Sequence, residues 1–96
     1  MSRWVTFYYD MLREHVSDLK IHEDREEALK HFNAHCKSYF EVNTRFKADK
    51  LPASYGYPFR KYWGISAQAF KKKFGISVDE AYRYTNIARN VKERGG

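Results

Sequence analysis

The apolar side chains at the start of the chain recur at helical spacing. Over residues 2–19 they are Trp4, Val5, Tyr8, Met11, Leu12, Val16 and Leu19. This spacing fits the period of an α-helix better than strict alternation does. The segment VTFYY at 5–9 would also suit a β-strand, because β-branched and aromatic residues favour strands. We therefore expect a helix over 2–19, with a strand over 2–9 as the alternative.

A second apolar stripe predicts a helix over 24–41. Asp24 and Glu27 are spaced as in a capping box, and acidic residues in a first turn complement the helix dipole. The stripe consists of Leu29, Phe32, Cys36, Tyr39 and Phe40. The following segment, 42–57, contains Pro52 and Gly56 and has no clear period. It is expected to be an irregular connector.

The C-terminal half contains one four-residue phrase twice. Trp-Gly-Ile-Ser at 63–66 returns as Phe-Gly-Ile-Ser at 74–77. Glycine closes the last turn of a helix in the left-handed conformation, and serine is a preferred first cap of the next helix. Each copy is therefore expected to be a corner between helices. The prediction is three short helices at about 57–63, 66–74 and 77–91.

These elements together predict an all-α fold. The chain is expected to form a small single-domain bundle of about five helices. Residues 1–41 would form two mildly acidic helices, 42–57 the connector, and 58–96 a basic tri-helical unit. The side chains expected to be largely buried are Leu29, Phe32, Phe70, Phe74, Ala81 and Tyr84.

Charge is unevenly distributed along the chain. The 96 residues have a net charge of +6, with 6 Lys/Arg and 8 Asp/Glu in 1–41 and 12 Lys/Arg and 4 Asp/Glu in 42–96. The second part is therefore +8, which favours a surface for polyanions. Helices 66–74 and 77–91, joined by the corner at 75–77, resemble a generic helix-turn-helix. We expect a DNA-binding regulator, with duplex DNA favoured over RNA.

Residue types on this helical pair indicate the contacts. Lysine and arginine hold phosphates, whereas arginine and asparagine can read bases in the major groove. The expected phosphate contacts are Lys71, Lys72, Lys73 and Arg89. The expected outward-facing group is Arg83, Asn86 and Asn90, of which Arg83 and Asn86 would reach bases.

A second candidate site is the aromatic and basic stretch at 55–63. Its members Tyr55, Tyr57, Arg60 and Lys61 could stack on unpaired bases while the charges hold phosphates. The alternative is that the aromatic rings pack the core. The same surface could instead grip an acidic partner protein. The rival function is therefore a non-enzymatic adaptor or inhibitor, of the kind that phages and other mobile elements encode.

Other classes of protein find little support in the sequence. No phosphate loop, nucleophile elbow or paired-acid motif is present, so we expect no enzyme and no cofactor. His31 and His35 have the i, i+4 spacing of metal ligands but no accompanying carboxylate, so no metal site is expected. The lone Cys36 excludes an intrachain disulfide. Together with the lack of a signal peptide or an 18-residue apolar run, this indicates a cytoplasmic protein without a membrane span.

Overall fold

The computed structural model describes residues 3–36, 41–43, 48–56 and 59–84. It contains an antiparallel sheet that is covered by helices on both faces. The strands are β1 (Trp4–Asp10), β2 (His15–His22), β3 (Glu41–Asn43), β4 (Ala53–Gly56) and β5 (Arg60–Ser66), in the order β2-β1-β5-β4-β3. The helices are α1 (Arg25–Cys36), α2 (Ala67–Phe74) and α3, described over 78–84. The all-α prediction is therefore wrong, and the fold is α+β.

Strand β1 explains the largest error. It pairs with β2 on one side and with β5 on the other. Both of its faces are covered, so Trp4, Val5, Thr6 and Phe7 are all at most 5% exposed. A strand buried on both faces loses the alternation of apolar and polar residues. Its pattern was therefore mistaken for part of a helix over 2–19, and the strand alternative over 2–9 was the correct one.

The sheet separates two apolar cores. Because successive side chains of a strand point to opposite faces, we name the faces after the helices that cover them. The α1 face contains the buried residues Trp4, Ala28, Phe32, Leu51 and Tyr62. The α2 face, covered by α2 and α3, contains Val5, Phe7, Leu19, Ala53, Trp63, Ile65, Phe70, Val78 and Ala81.

The two copies of the repeated phrase have different structures. At the second copy, Gly75 has a φ of 78° and its N–H donates to the Lys71 carbonyl, which closes α2 as predicted. Ser77 Oγ then accepts a hydrogen bond of 3.2 Å from the Glu80 N–H. The first copy lies in β5, so the predicted helix at 57–63 and its corner are wrong. Only Ser66 keeps the expected role, since its Oγ accepts a bond from the Ala69 N–H and caps α2.

Gly64 in the first copy is required for packing rather than for a turn. A Cβ placed there would lie 2.6 Å from Leu51 Cδ1 and 3.1 Å from Leu51 Cγ. The segment that carries Leu51 runs antiparallel beside β5 at this point, since Lys50 bridges Ile65 and the Leu51 N–H donates to the Gly64 carbonyl at 2.8 Å. Glycine therefore permits the close approach of Leu51 to the sheet.

The second predicted helix is confirmed over α1. The Asp24 carboxylate accepts a 2.9 Å bond from the Glu27 N–H, and the Glu27 carboxylate accepts from the Glu23 N–H at 3.2 Å. The predicted extension to residue 41 is wrong, because residue 41 begins β3. The predicted connector at 42–57 contains β4 and most of β3, which pair with each other.

The predicted helix-turn-helix is also corrected. Helices α2 and α3 both pack on the sheet, with Phe70, Val78 and Ala81 in the same core as β1 and β5. The tri-helical unit cannot form, because the segment assigned to its first helix is the strand β5. Among the predicted core residues, Phe32, Phe70 and Ala81 are buried. Leu29 and Phe74 are partly buried, and the prediction for Tyr84 is wrong, since it is 62% exposed.

Candidate anion-binding surface

Three lysines converge on one tryptophan ring at the α2 face. The Nζ atoms of Lys61, Lys73 and Lys50 lie 3.9, 4.9 and 5.9 Å from the centre of the Trp63 ring. We call these three residues the lysine cluster. Ammonium groups at such distances are attracted by the negative face of an indole ring. The ring therefore holds three like charges close together although they repel one another.

The local structure explains how distant parts of the sequence meet here. Lys61 lies two residues before Trp63 in β5, so both point to the α2 face. Lys73 comes from the last turn of α2. Lys50 forms an isolated bridge with Ile65, two residues after Trp63, which places it on the same face. Beneath them the Trp63 ring packs against Phe7, with ring centres 5.4 Å apart.

The lysine cluster brings three positive charges together. Within the described residues, none of the three ammonium groups forms a salt bridge. The pKa of Lys61 is lowered, first by burial and then by the charges of Lys73 and Lys50. Both causes disfavour the charged form, and a bound anion would offset the second, the repulsion between the three charges. The arrangement is therefore suited to a phosphate or another multiply charged anion.

Trp63 itself cannot serve as a stacking platform. It is only 4% exposed, and the lysine side chains and Phe7 occupy its surroundings. The neighbouring Tyr55 is more accessible, since it is partly exposed. Its ring centre lies 5.6 Å from Lys61 Nζ. The Tyr55 ring thus lies beside the lysine cluster, close enough to contact a ligand that the lysines bind.

The structure brings together members of both predicted groups. Lys73 comes from the expected phosphate contacts, and Lys61 and Tyr55 come from the aromatic stretch. Lys71 and Lys72 are exposed on α2 outside the cluster. Arg60 lies over Tyr8, 5.0 Å from its ring centre, towards the α1 face. The predicted residues Tyr57, Asn86, Arg89 and Asn90 lie outside the described residues.

Arg83 is exposed on α3, near an ion pair. Arg3 donates to both carboxylate oxygens of Asp79, at 2.9 and 2.8 Å. These hydrogen bonds are the main cause of the lowered pKa of Asp79, to which the charges of Arg3 and then Arg83 add. The ionised Asp79 carboxylate at the start of α3 is thus paired with the Arg3 guanidinium.

Sequence reasoning missed two members of this surface. Lys50 lies in the segment assigned to an irregular connector, where no pattern marks it. Trp63 belongs to the aromatic stretch, for which packing in the core was the alternative interpretation. It is buried as that alternative expects, and its contact with the lysines was not predicted. The spacing of Lys61 and Trp63 by two residues was the available signal, and it required recognition of β5 as a strand.

A cluster of histidines occupies the α1 face. The ring centres of His22 and His31 are 5.1 Å apart, and those of His31 and His35 are 4.2 Å apart. Burial, followed by the charges of His35 and His22, lowers the pKa of His31 to about 4. Among the described residues, no group of three or more His, Cys, Asp or Glu side chains is arranged to hold a metal ion.

Two adjacent turns expose apolar side chains at one end of the sheet. Met11, Leu12 and Phe59 are 39, 71 and 54% exposed. The Met11 N–H donates to the Phe59 carbonyl at 3.0 Å, so the β1–β2 and β4–β5 turns are in contact. Phe59 has a φ of 56°, which is unusual for an aromatic residue. We call these three residues the apolar tip.

Comparison of the chain with known protein families, curated proteins and solved structures found no match. No helix within the described residues is long and apolar enough to cross a membrane.

Proposed function

We propose that this chain is a nucleic-acid-binding protein that contacts the phosphate backbone with its lysine cluster. The observation that supports this most directly is the convergence of three ammonium groups on Trp63, none of which forms a salt bridge within the described residues. The charge of +8 on residues 42–96, counted from 12 basic and 4 acidic residues, favours the same class of partner.

The chemistry of this contact is electrostatic. Each lysine that meets a phosphate releases a counterion from the nucleic acid, which makes affinity strongly dependent on salt. Ammonium groups contact phosphates as point charges and do not distinguish bases. Tyr55 beside Lys61 would allow a base of a flexible strand to stack. We therefore expect little sequence preference and tighter binding to single strands than to duplex DNA.

Fluorescence anisotropy with labelled oligonucleotides tests the proposal. Random single-stranded DNA, single-stranded RNA and duplex DNA are titrated with wild type, with a Lys50→Ala/Lys73→Ala double variant and with Lys30→Ala. Lys30 is an exposed lysine of α1, on the opposite side of the sheet, and is the matched control. The double variant is expected to lose affinity for every oligonucleotide alike, whereas Lys30→Ala should bind as wild type does. Absence of wild-type binding at low salt would contradict the proposal.

The apolar tip favours a second candidate, a protein-binding adaptor or inhibitor. A non-glycine residue in the left-handed region is strained, and such strain tends to occur at functional sites. Phe59 combines this strain with high exposure, so the fold gains little from its ring. Aromatic and apolar side chains of this kind form the centres of protein interfaces.

Replacement of Phe59 separates stability from binding. Phe59→Gly should raise the free energy of unfolding by between zero and about 1 kcal/mol. Relief of the backbone strain outweighs the greater entropy that glycine gives the unfolded chain. If the tip binds a partner protein, this variant should lose the partner in affinity capture, while the control Tyr84→Ser should retain it. A loss of stability in urea unfolding would instead show that Phe59 is a structural residue.

A further inference from the structure

Within the lysine cluster, the amine of Lys61 has the surroundings of a chemically reactive lysine. Lys61 is partly buried, lies on the Trp63 ring and has Lys73 and Lys50 on the same ring. Burial and neighbouring cations are the two devices by which proteins keep a lysine uncharged and nucleophilic at neutral pH. Lys71 and Lys72, exposed on the same helix as Lys73, lack these surroundings.

We propose that Lys61 is a covalent modification site that condenses with aldehydes carrying a phosphate group. The phosphate would be held by Lys50 and Lys73, and the carbonyl carbon would then lie near Lys61 Nζ. This inference does not depend on nucleic-acid binding, although the same two lysines serve both.

The reaction requires no oxidant or reductant. The Lys61 ammonium gives a proton to solvent, and its nitrogen lone pair attacks the carbonyl carbon to form a carbinolamine. Loss of the carbonyl oxygen as water leaves a C=N bond between Lys61 and the aldehyde carbon. Burial, the first cause of the lowered pKa of Lys61, persists when Lys50 and Lys73 hold the phosphate, and it favours the free amine that begins this sequence.

Competition between lysines of one molecule provides the test. Folded wild-type protein is treated briefly with pyridoxal 5′-phosphate near neutral pH, the imine is reduced with borohydride, and the label is located by peptide mass spectrometry. The label at Lys61 is expected to exceed that at Lys71 and at Lys72 severalfold. Equal labelling of the three lysines would overturn the proposal, and this comparison requires no variant to fold.

Two variants test the activation by neighbouring charges. A Lys50→Gln/Lys73→Gln double variant should lower Lys61 labelling to the level of Lys71. Lys73→Arg keeps the charge and should retain the selectivity.

Acetic anhydride, which carries no phosphate, distinguishes a reactive Lys61 amine from mere capture of the phosphate near it. A reactive Lys61 is also acetylated faster than Lys71. Selectivity that survives in the double variant would overturn the proposed role of the two neighbours. Failure of oligonucleotide binding would leave these labelling results unchanged, so the two proposals fail separately.

Discussion

The two faces of the sheet each carry a cluster of nitrogen-bearing side chains over buried aromatic rings, but the clusters differ in charge. On the α2 face, Lys50, Lys61 and Lys73 surround Trp63 and repel one another. On the α1 face, His31 lies between His22 and His35 with their rings tilted towards one another, and its pKa is lowered to about 4. At neutral pH the first surface is cationic, whereas the ring of His31 is neutral.

This difference favours the α2 face for the proposed anion binding. The neutral ring of His31 packs against its neighbours without charge repulsion, so the histidine cluster can help to hold α1 on the sheet. The attraction of each ammonium group to Trp63 works against the repulsion among the three charges. A bound anion would relieve that repulsion, which supports the anion-binding role proposed for this face.

The largest expected effect concerns the core beneath the lysines. Phe70 is 1% exposed and meets Phe7 edge to face, with ring centres 5.5 Å apart. Phe70→Ala should cost about 3–5 kcal/mol, which is comparable to the whole stability of a small domain. Phe32→Ala, the matched change on the α1 face, should cost a similar amount because Phe32 is also 1% exposed. Urea unfolding measures both, and a loss below about 1 kcal/mol in either would show that its face is not a packed core.

The next effect concerns the two glycines of the repeated phrase. Gly64→Ala should cost about 1–3 kcal/mol, because the new Cβ would overlap Leu51. Gly75→Ala should cost only about 1 kcal/mol, since its Cβ meets nothing within 4 Å and only the positive φ opposes it. Thermal unfolding of the two variants shows which substitution destabilises the fold more. If Gly75→Ala proved the more damaging change, the close approach of Leu51 to β5 would be refuted.

A smaller effect is expected from acid. The pKa of His31 is about 4 in the folded state against an ordinary value of 6.5, so the unfolded chain binds the proton more tightly. Stability is then fully present above about pH 6.5 and falls as the pH drops towards 4. The pKa of His22 is lowered mainly by burial and adds in the same direction. With allowance for solvent screening, the loss near pH 5 is about 1 kcal/mol.

Replacement of His31 checks this pH dependence. His31→Gln should flatten the change in unfolding free energy between about pH 7 and pH 5. His15→Gln, which alters an exposed histidine outside the cluster, should leave the profile as in wild type. Identical profiles for wild type and His31→Gln would show that the cluster does not control acid stability.

The parts of the fold that follow from local sequence were predictable. The capping residues of α1, Ser66 before α2, and Gly75 after it all act within one or two turns of their own helix. The sheet was not predictable in the same way, because β1 is buried on both faces and shows no alternation. Gly64 shows what local sequence cannot predict. A glycine is needed there because Leu51, thirteen positions earlier, packs against it, and no neighbour in the sequence requires it.

The candidate site was predictable only in fragments. Residue type, together with the predicted helix pair and the aromatic stretch, marks Lys73, Lys61 and Tyr55 as contacts for phosphates and bases. Their meeting at Trp63 depends on the pairing of β4 with β5 and on the last turn of α2. Lys50 joins them through a single bridge to Ile65, which no local pattern marks.

The salt dependence of oligonucleotide affinity in matched lysine variants tests the central claim most directly. The slope of log K against log salt concentration is measured for wild type, Lys73→Ala and Lys30→Ala on one single-stranded oligonucleotide. If Lys73 contacts a phosphate, its removal should reduce the magnitude of the slope by roughly 0.7, the value for one contact to a single strand. Lys30→Ala should keep the wild-type slope. Equal slopes in all three proteins, or the same reduction in both variants, would contradict phosphate binding by the lysine cluster.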